Sequence, residues 1–142
     1  MKDDPVPIHN HISRCCFASR CTEEGQVTGA AFQPRETDEY LSVNWLEYLQ
    51  QTNRQEEIQE VRKILSLKLT LTPNAKIAVL NVGDILDHVQ VKTPDNRSLR
   101  VFHVPEENDP SHSGIYGFTF DDPIIADLIA EVVQETHPSQ EP

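Results

Sequence analysis

With 142 residues, 37% of them hydrophobic, the chain is long enough for one core. It has no apolar run of membrane-spanning length and no apolar leader in its opening MKDDPVPIHN, so a cytoplasmic protein with no membrane partner is expected. The formal net charge is −11, and residues 101–142 hold nine acids without a lysine or arginine. That distribution argues against nucleic acid as a partner and for a basic protein.

In chain order, residues 1–8 carry Asp3, Asp4, Pro5 and Pro7 and read as a loose arm. Ile12, Arg14 and Cys16 alternate within 9–17, which suits a first strand. Residues 26–33, QVTGAAFQ, read as a second short strand, with Gly29 permitting a bulge or close backbone approach. In 40–50, Tyr40, Ser42 and Asn44 alternate with Leu41 and Val43, and Trp45, Leu46 and Leu49 follow at helical spacing. A strand should therefore run directly into a helix near the only tryptophan.

The clearest helix spans 54–66, with a capping-box start at Thr52/Gln55 or Asn53/Glu56 and an apolar stripe of Ile58, Val61, Ile64 and Leu65. Leu67, Leu69 and Leu71 then alternate with polar residues, as in a half-buried strand. Residues 75–82 fit either a short helix or a buried strand. After a turn at Gly83-Asp84, segments 89–92 and 98–104 read as a hairpin around 94–97. A polar loop is expected over 105–114 and a last strand over 115–120. Asp122 followed by Pro123 opens a second main helix, near 123–135, and 137–142 reads as a loose tail. The fold class expected is a single α+β domain with a mixed or largely antiparallel sheet and two main amphipathic helices.

Three chemistries suggest themselves. His9, His11, Cys15, Cys16 and Cys21 lie close in sequence, but their H-x-H, C-C and C-x4-C spacings are not those of a zinc site, and no metal is expected. The odd cysteine count argues against a disulfide framework. A thiol paired with His11 or His112 would make a nucleophile, yet no cysteine opens a recognisable helix. A polar cluster is the third: Arg14 to clamp a phosphate, Ser42 and Asn44 to bond a ribose or amide, Glu47 as base or cation stabiliser, and His112 on a loop. The plainer alternative makes Asn44 and Glu47 a helix cap, Asp109 and Ser111 turn formers, and Arg14 an ion-pair partner.

The order Ile12-Ser13-Arg14, Gly29-Ala30-Ala31-Phe32, Tyr40-Leu41-Ser42 and Glu47 resembles the N-terminal half of RES-type ADP-ribosyltransferase-like toxins. That resemblance implies an early arginine and a strand-to-helix unit around bound NAD. The strings LSVNWLE and DPSH also resemble those of an uncharacterised bacterial protein family. Two functions follow as expectations. The first is a small acidic binding module of accessory, antidote or immunity type, docking a basic protein through Glu106, Glu107 and Asp109, with His11 as a further binding candidate and no cofactor. The second is an enzyme on a nucleotide-like ligand, by ADP-ribosyl transfer or NAD glycohydrolysis, using Arg14, Ser42, Asn44, Glu47 and His112.

Overall fold

In the computed structural model, which describes residues 3–140, two apolar clusters lie on opposite faces of one sheet. The elements in chain order are β1 (His11–Cys16), β2 (Leu41–Trp45), α1 (Arg54–Ser66), β3 (Lys76–Asn81) and α2 (Val82–Lys92). They continue with β4 (Arg100–His103), β5 (His112–Tyr116), α3 (Pro123–Ala130) and β6 (Glu135–Pro138). The sheet order is β4-β5-β2-β1-β3-β6, and every pairing is antiparallel. The fold is single-domain α+β.

The larger cluster joins Ile12 and Cys16 of β1, Leu41 and Val43 of β2, and Ala78 and Leu80 of β3 to α2 and α3. The smaller joins Ile77 and Val79 of β3, with Leu46, to Ile58, Val61 and Leu65 of α1. Strand alternation accounts for this split: odd and even residues of β3 face different helices. β3 is thus buried on both sides, which settles the ambiguous 75–82 stretch as a strand. The α1 helix begins as its cap predicts, with the Asn53 side chain accepting from the Glu56 amide and Glu56 accepting from the Thr52 amide.

Several expectations are corrected. Residues 26–33 are not a strand. Gly29–Phe32 is a 3₁₀ turn whose Ala31 and Phe32 enter the larger core. The 67–72 stretch alternates correctly but has no strand to pair with, and Leu67 and Leu69 are exposed. Residues 82–92 are a helix rather than a turn and hairpin. Asn81 caps it by accepting from the Asp84 amide, and Val82, Ile85 and Val89 form its buried stripe. Among the described residues there are three α-helices, one more than the two main ones expected. The last stops at Ala130, and residues 135–138 return to the sheet beside β3.

Neither terminal segment is loose where it is described. The Val6 amide donates to the Val101 carbonyl, and Pro5 bridges Phe102, so the arm lines the β4 edge. Ser139 is buried and donates to the Thr72 carbonyl. The loop after 104 ends earlier than expected, because His112 and Ser113 already pair with β2. Among the described residues no helix is long and apolar enough to cross a membrane.

A Cβ at Gly29 would collide with the Asp127 side chain and lie 2.9 Å from the Asp127 Cα. The 3₁₀ turn therefore meets α3 at backbone contact distance, the close approach that a glycine permits. Gly29→Ala should destabilise the protein by about 1–3 kcal/mol, as overpacking of a rigid contact does. Urea unfolding should show a lower midpoint at unchanged slope; an unchanged midpoint would refute the close approach.

Candidate functional site

Strand pairing builds the floor of one cleft. Ser13 on β1 lies opposite Asn44 on β2, and Asn44 lies opposite His112 on β5. The three share the sheet face that carries α1, but α1 covers only the side of that face over β1 and β3. Beyond its C-terminal end a cleft of about 480 Å³ remains over this polar row. That volume is within the roughly 300–1,000 Å³ usual for small-molecule sites. A second groove, of about 640 Å³ beside α1, is a poorer candidate. Its one arginine, Arg62, is already bonded to the Pro138 carbonyl and to Gln59.

The cleft wall carries Arg14, Arg20, Arg35 and Lys68 against Asp38, Glu106 and Asp109. Four cations against three carboxylates make it locally positive in a chain of net charge −11. Two of the cations are neutralised. Arg35 forms a fork on Asp38, which holds that carboxyl below its usual range. Lys68 lies 2.6 Å from Glu106 Oε1 and 2.7 Å from Asp109 Oδ2.

Arg14 and Arg20 have no ion pair among the described residues. Arg14 donates from Nε to the Ala31 carbonyl at 3.0 Å and from Nη1 to the Ser42 carbonyl at 2.8 Å. Those two bonds hold the guanidinium in place and leave other N–H groups available. Burial pulls its pKa below the usual arginine value, against weaker opposing contributions from Cys16, Cys15 and Asp38. Arg20 is exposed and makes only a 3.5 Å contact from Nη1 to the Ala30 carbonyl.

Asn44 is not a helix cap. It sits within β2, and its Nδ2 donates to Asp109 Oδ1 at 2.7 Å and to Ser111 Oγ at 2.9 Å. Ser111 Oγ in turn donates to Asp109 Oδ1. Asp109, at 1% exposure, is thereby enclosed by an amide, a hydroxyl and an ammonium. His112 is 4% exposed and bonds through Nδ1 to the Val104 carbonyl at 2.8 Å. A carbonyl only accepts, so in the neutral ring Nδ1 carries the proton and Nε2 keeps its lone pair. The Tyr40 ring stands edge-on to this imidazole, with centroids 5.9 Å apart.

Of the residues singled out in the sequence, Arg14, Ser42, Asn44, Asp109, Glu106 and His112 converge on this cleft. Glu47 and His11 do not. After Trp45 the chain leaves the sheet in a single 3₁₀ turn, Glu47–Leu49, and the Glu47 carboxylate accepts from the His11 amide at 2.7 Å and meets its Nδ1 at 2.6 Å. Glu107 is exposed and lines no part of the cleft. Asp109 is too buried to dock a partner. Lys68 and Arg20 were missed from sequence, and nothing local marks Lys68, whose two acids are 38 and 41 residues away.

Burial raises all three thiols, Cys16 to about 12, so none is an activated nucleophile. Among the described residues no group of three or more His, Cys, Asp or Glu is placed to hold a metal ion. Searches against protein-family models, curated proteins and solved structures give no match for this chain.

The Lys68 contact has a signed pH dependence. Its hydrogen bond, ahead of opposing burial, holds Glu106 below the usual carboxylate range. A depressed carboxyl stabilises the fold above its unfolded pKa and loses that contribution as pH falls through the folded one. Burial opposes the Lys68 charge, but bonds to Asp109 and Glu106 outweigh it and raise its pKa. That contribution is present below the unfolded lysine value and lost as pH rises through the folded one. Lys68→Met should therefore lower stability by about 2 kcal/mol at neutral pH, as loss of charged hydrogen bonds does. The gap to the parent should narrow as pH falls out of the usual carboxylate range and through the depressed Glu106 value. Denaturant melts at neutral and acid pH check this; a gap that stays constant between them would refute it.

Proposed function

We propose that the protein binds a small phosphate-bearing molecule in this cleft. The carrying observation is the pair Arg14 and Arg20, which no carboxylate of the described residues neutralises, in a concavity that inverts the sign of the chain's net charge. A guanidinium anchored by two backbone carbonyls is preorganised, and its fork geometry suits phosphate oxygens. The polar floor of Ser13, Asn44 and His112 supplies hydrogen-bonding groups beside the anion site.

NAD belongs to this ligand class and stays within the proposal. Turnover of NAD was expected to draw on Glu47, which the His11 contact holds elsewhere, so the reading stops at binding. Docking of a basic protein is the weaker proposal. Of its three carboxylates Lys68 engages two, Glu106 and Asp109, and Asp109 is buried.

Titration calorimetry with pyrophosphate and with NAD tests the proposal. At least one should bind saturably with one site per chain. Arg20→Ser, at an exposed position with a single long contact, should keep the fold and weaken binding about tenfold, equivalent to ~1.4 kcal/mol. Absence of saturable binding by either compound, or an affinity unchanged in Arg20→Ser, would overturn it.

A further inference from the structure

The cleft floor is chemically one-sided. Asn44 Nδ2 already makes two donor bonds, to a carboxylate oxygen and a hydroxyl. Flipping the amide would place its oxygen against the Asp109 carboxylate, two acceptors face to face, so the orientation is fixed. Asn44 Oδ1 therefore has no protein donor among the described residues. His112 Nε2 is in the same position, because Nδ1 takes the Val104 carbonyl. Ser13 Oγ also makes no bond among them.

These are deeply placed groups: Ser13 is 2% exposed, Asn44 5% and His112 4%. Yet among the described residues no side-chain nitrogen or oxygen is sealed off without a partner, so each of these three atoms reaches open space. All three residues line the cleft. The row thus presents the Asn44 amide oxygen as an acceptor, the His112 Nε2 as a second one in the neutral ring, and a hydroxyl beside them that can act either way. Adjacent members are directly opposed on neighbouring strands, with Cβ atoms about 4.5–5.5 Å apart. A bare anion cannot satisfy that floor, since phosphate oxygens facing Asn44 Oδ1 and His112 Nε2 would set acceptor against acceptor. Unsatisfied buried acceptors are costly, so the matching ligand brings its own donors.

We infer that the ligand is a polyhydroxylated phosphate ester, with its phosphate on Arg14 and Arg20 and its sugar hydroxyls donating to Asn44 Oδ1 and His112 Nε2. This inference rests on the proposed phosphate site and adds the chemistry of the other end. A free sugar phosphate and the ribose of a nucleotide share that chemistry.

The test is calorimetric titration of the full chain with ribose 5-phosphate, AMP and inorganic phosphate. Ribose 5-phosphate or AMP should bind at least tenfold more tightly than inorganic phosphate. Tighter AMP would assign the hydroxyls to a nucleotide, and tighter ribose 5-phosphate to a free sugar phosphate. His112→Asn keeps a donor toward the Val104 carbonyl but removes the Nε2 acceptor. It should cut sugar-phosphate affinity about tenfold and leave inorganic phosphate unchanged, whereas Arg20→Ser should weaken both. Should His112→Asn not fold, Ser13→Ala serves as the second variant, with a sugar-selective loss of about threefold expected. Equal affinity for phosphate and ribose 5-phosphate would overturn the inference and leave the phosphate site standing. No binding of any of the three would overturn both, and so would losses in His112→Asn or Ser13→Ala that fall equally on phosphate and sugar phosphate.

Discussion

A carboxylate at 1% exposure has to be provided for, and the arrangement around Asp109 is shaped by that requirement. Its two oxygens receive Lys68 on one side and Asn44 with Ser111 on the other. Each partner comes from a different part of the chain: the turn after α1, the middle of β2 and the approach to β5. One charge thus ties three segments together. It also sets chemistry beyond itself. By accepting one Asn44 amide hydrogen, with Ser111 accepting the other, it fixes the amide oxygen on the side away from itself. The acceptor that Asn44 presents on the cleft floor is a consequence of satisfying this one buried anion.

The division of the core explains why there is a cleft at all. On one face α2, α3 and the Gly29–Phe32 turn cover the sheet continuously. On the other, α1 is a single helix of 13 residues lying against β3. One helix covers a strip about 10 Å wide, whereas six strands at about 4.8 Å spacing span far more. The uncovered strands carry Ser42, Asn44 and Gly114 where core positions would otherwise be apolar. Polar residues on that half of the face, and a glycine on which the Tyr40 ring rests, are the sequence's accommodation of an open surface.

Where local pattern and tertiary context agreed, the sequence was readable. The α1 helix has a 3.6-residue stripe and a capping side chain, both local properties, and its bounds were read correctly. β1 and β2 alternate cleanly. The failures have physical reasons. The 67–72 alternation is as good as that of β2, but a strand needs a neighbour and none is within reach. β6 is the reverse case: Glu135, Thr136 and His137 carry no apolar signal, because an edge strand with exposed side chains gains its place from backbone pairing to β3. Within 82–92, Gly83 looked like a turn, while the deciding feature was Asn81 capping from the preceding strand. At the site, Arg14, Ser42 and Asn44 were legible because each lies on a segment that alternation marks as a strand, whereas His112 was picked out as a loop residue and instead opens β5. Glu47 was misplaced because a single 3₁₀ turn points it back at His11. Lys68 was illegible because its partners are distant in sequence.

The electrostatics of the cleft set it apart from an anion site built for capture at a distance. A chain of net charge −11 repels anions over the ~8–10 Å that ionic screening allows at ordinary salt. The cleft itself is locally positive, so on the proposed reading Arg14 and Arg20 would attract a phosphate only at short range. They act at contact, where the guanidinium fork and partial burial strengthen each hydrogen bond. An anion that gains only the two arginines must still overcome the field and the acceptor floor. A ligand that also donates to Asn44 and His112 gains from the floor what a bare anion loses to it. On the proposed reading, the acidic exterior and the acceptor row would select in the same direction, against free inorganic anions and toward an ester with hydroxyls.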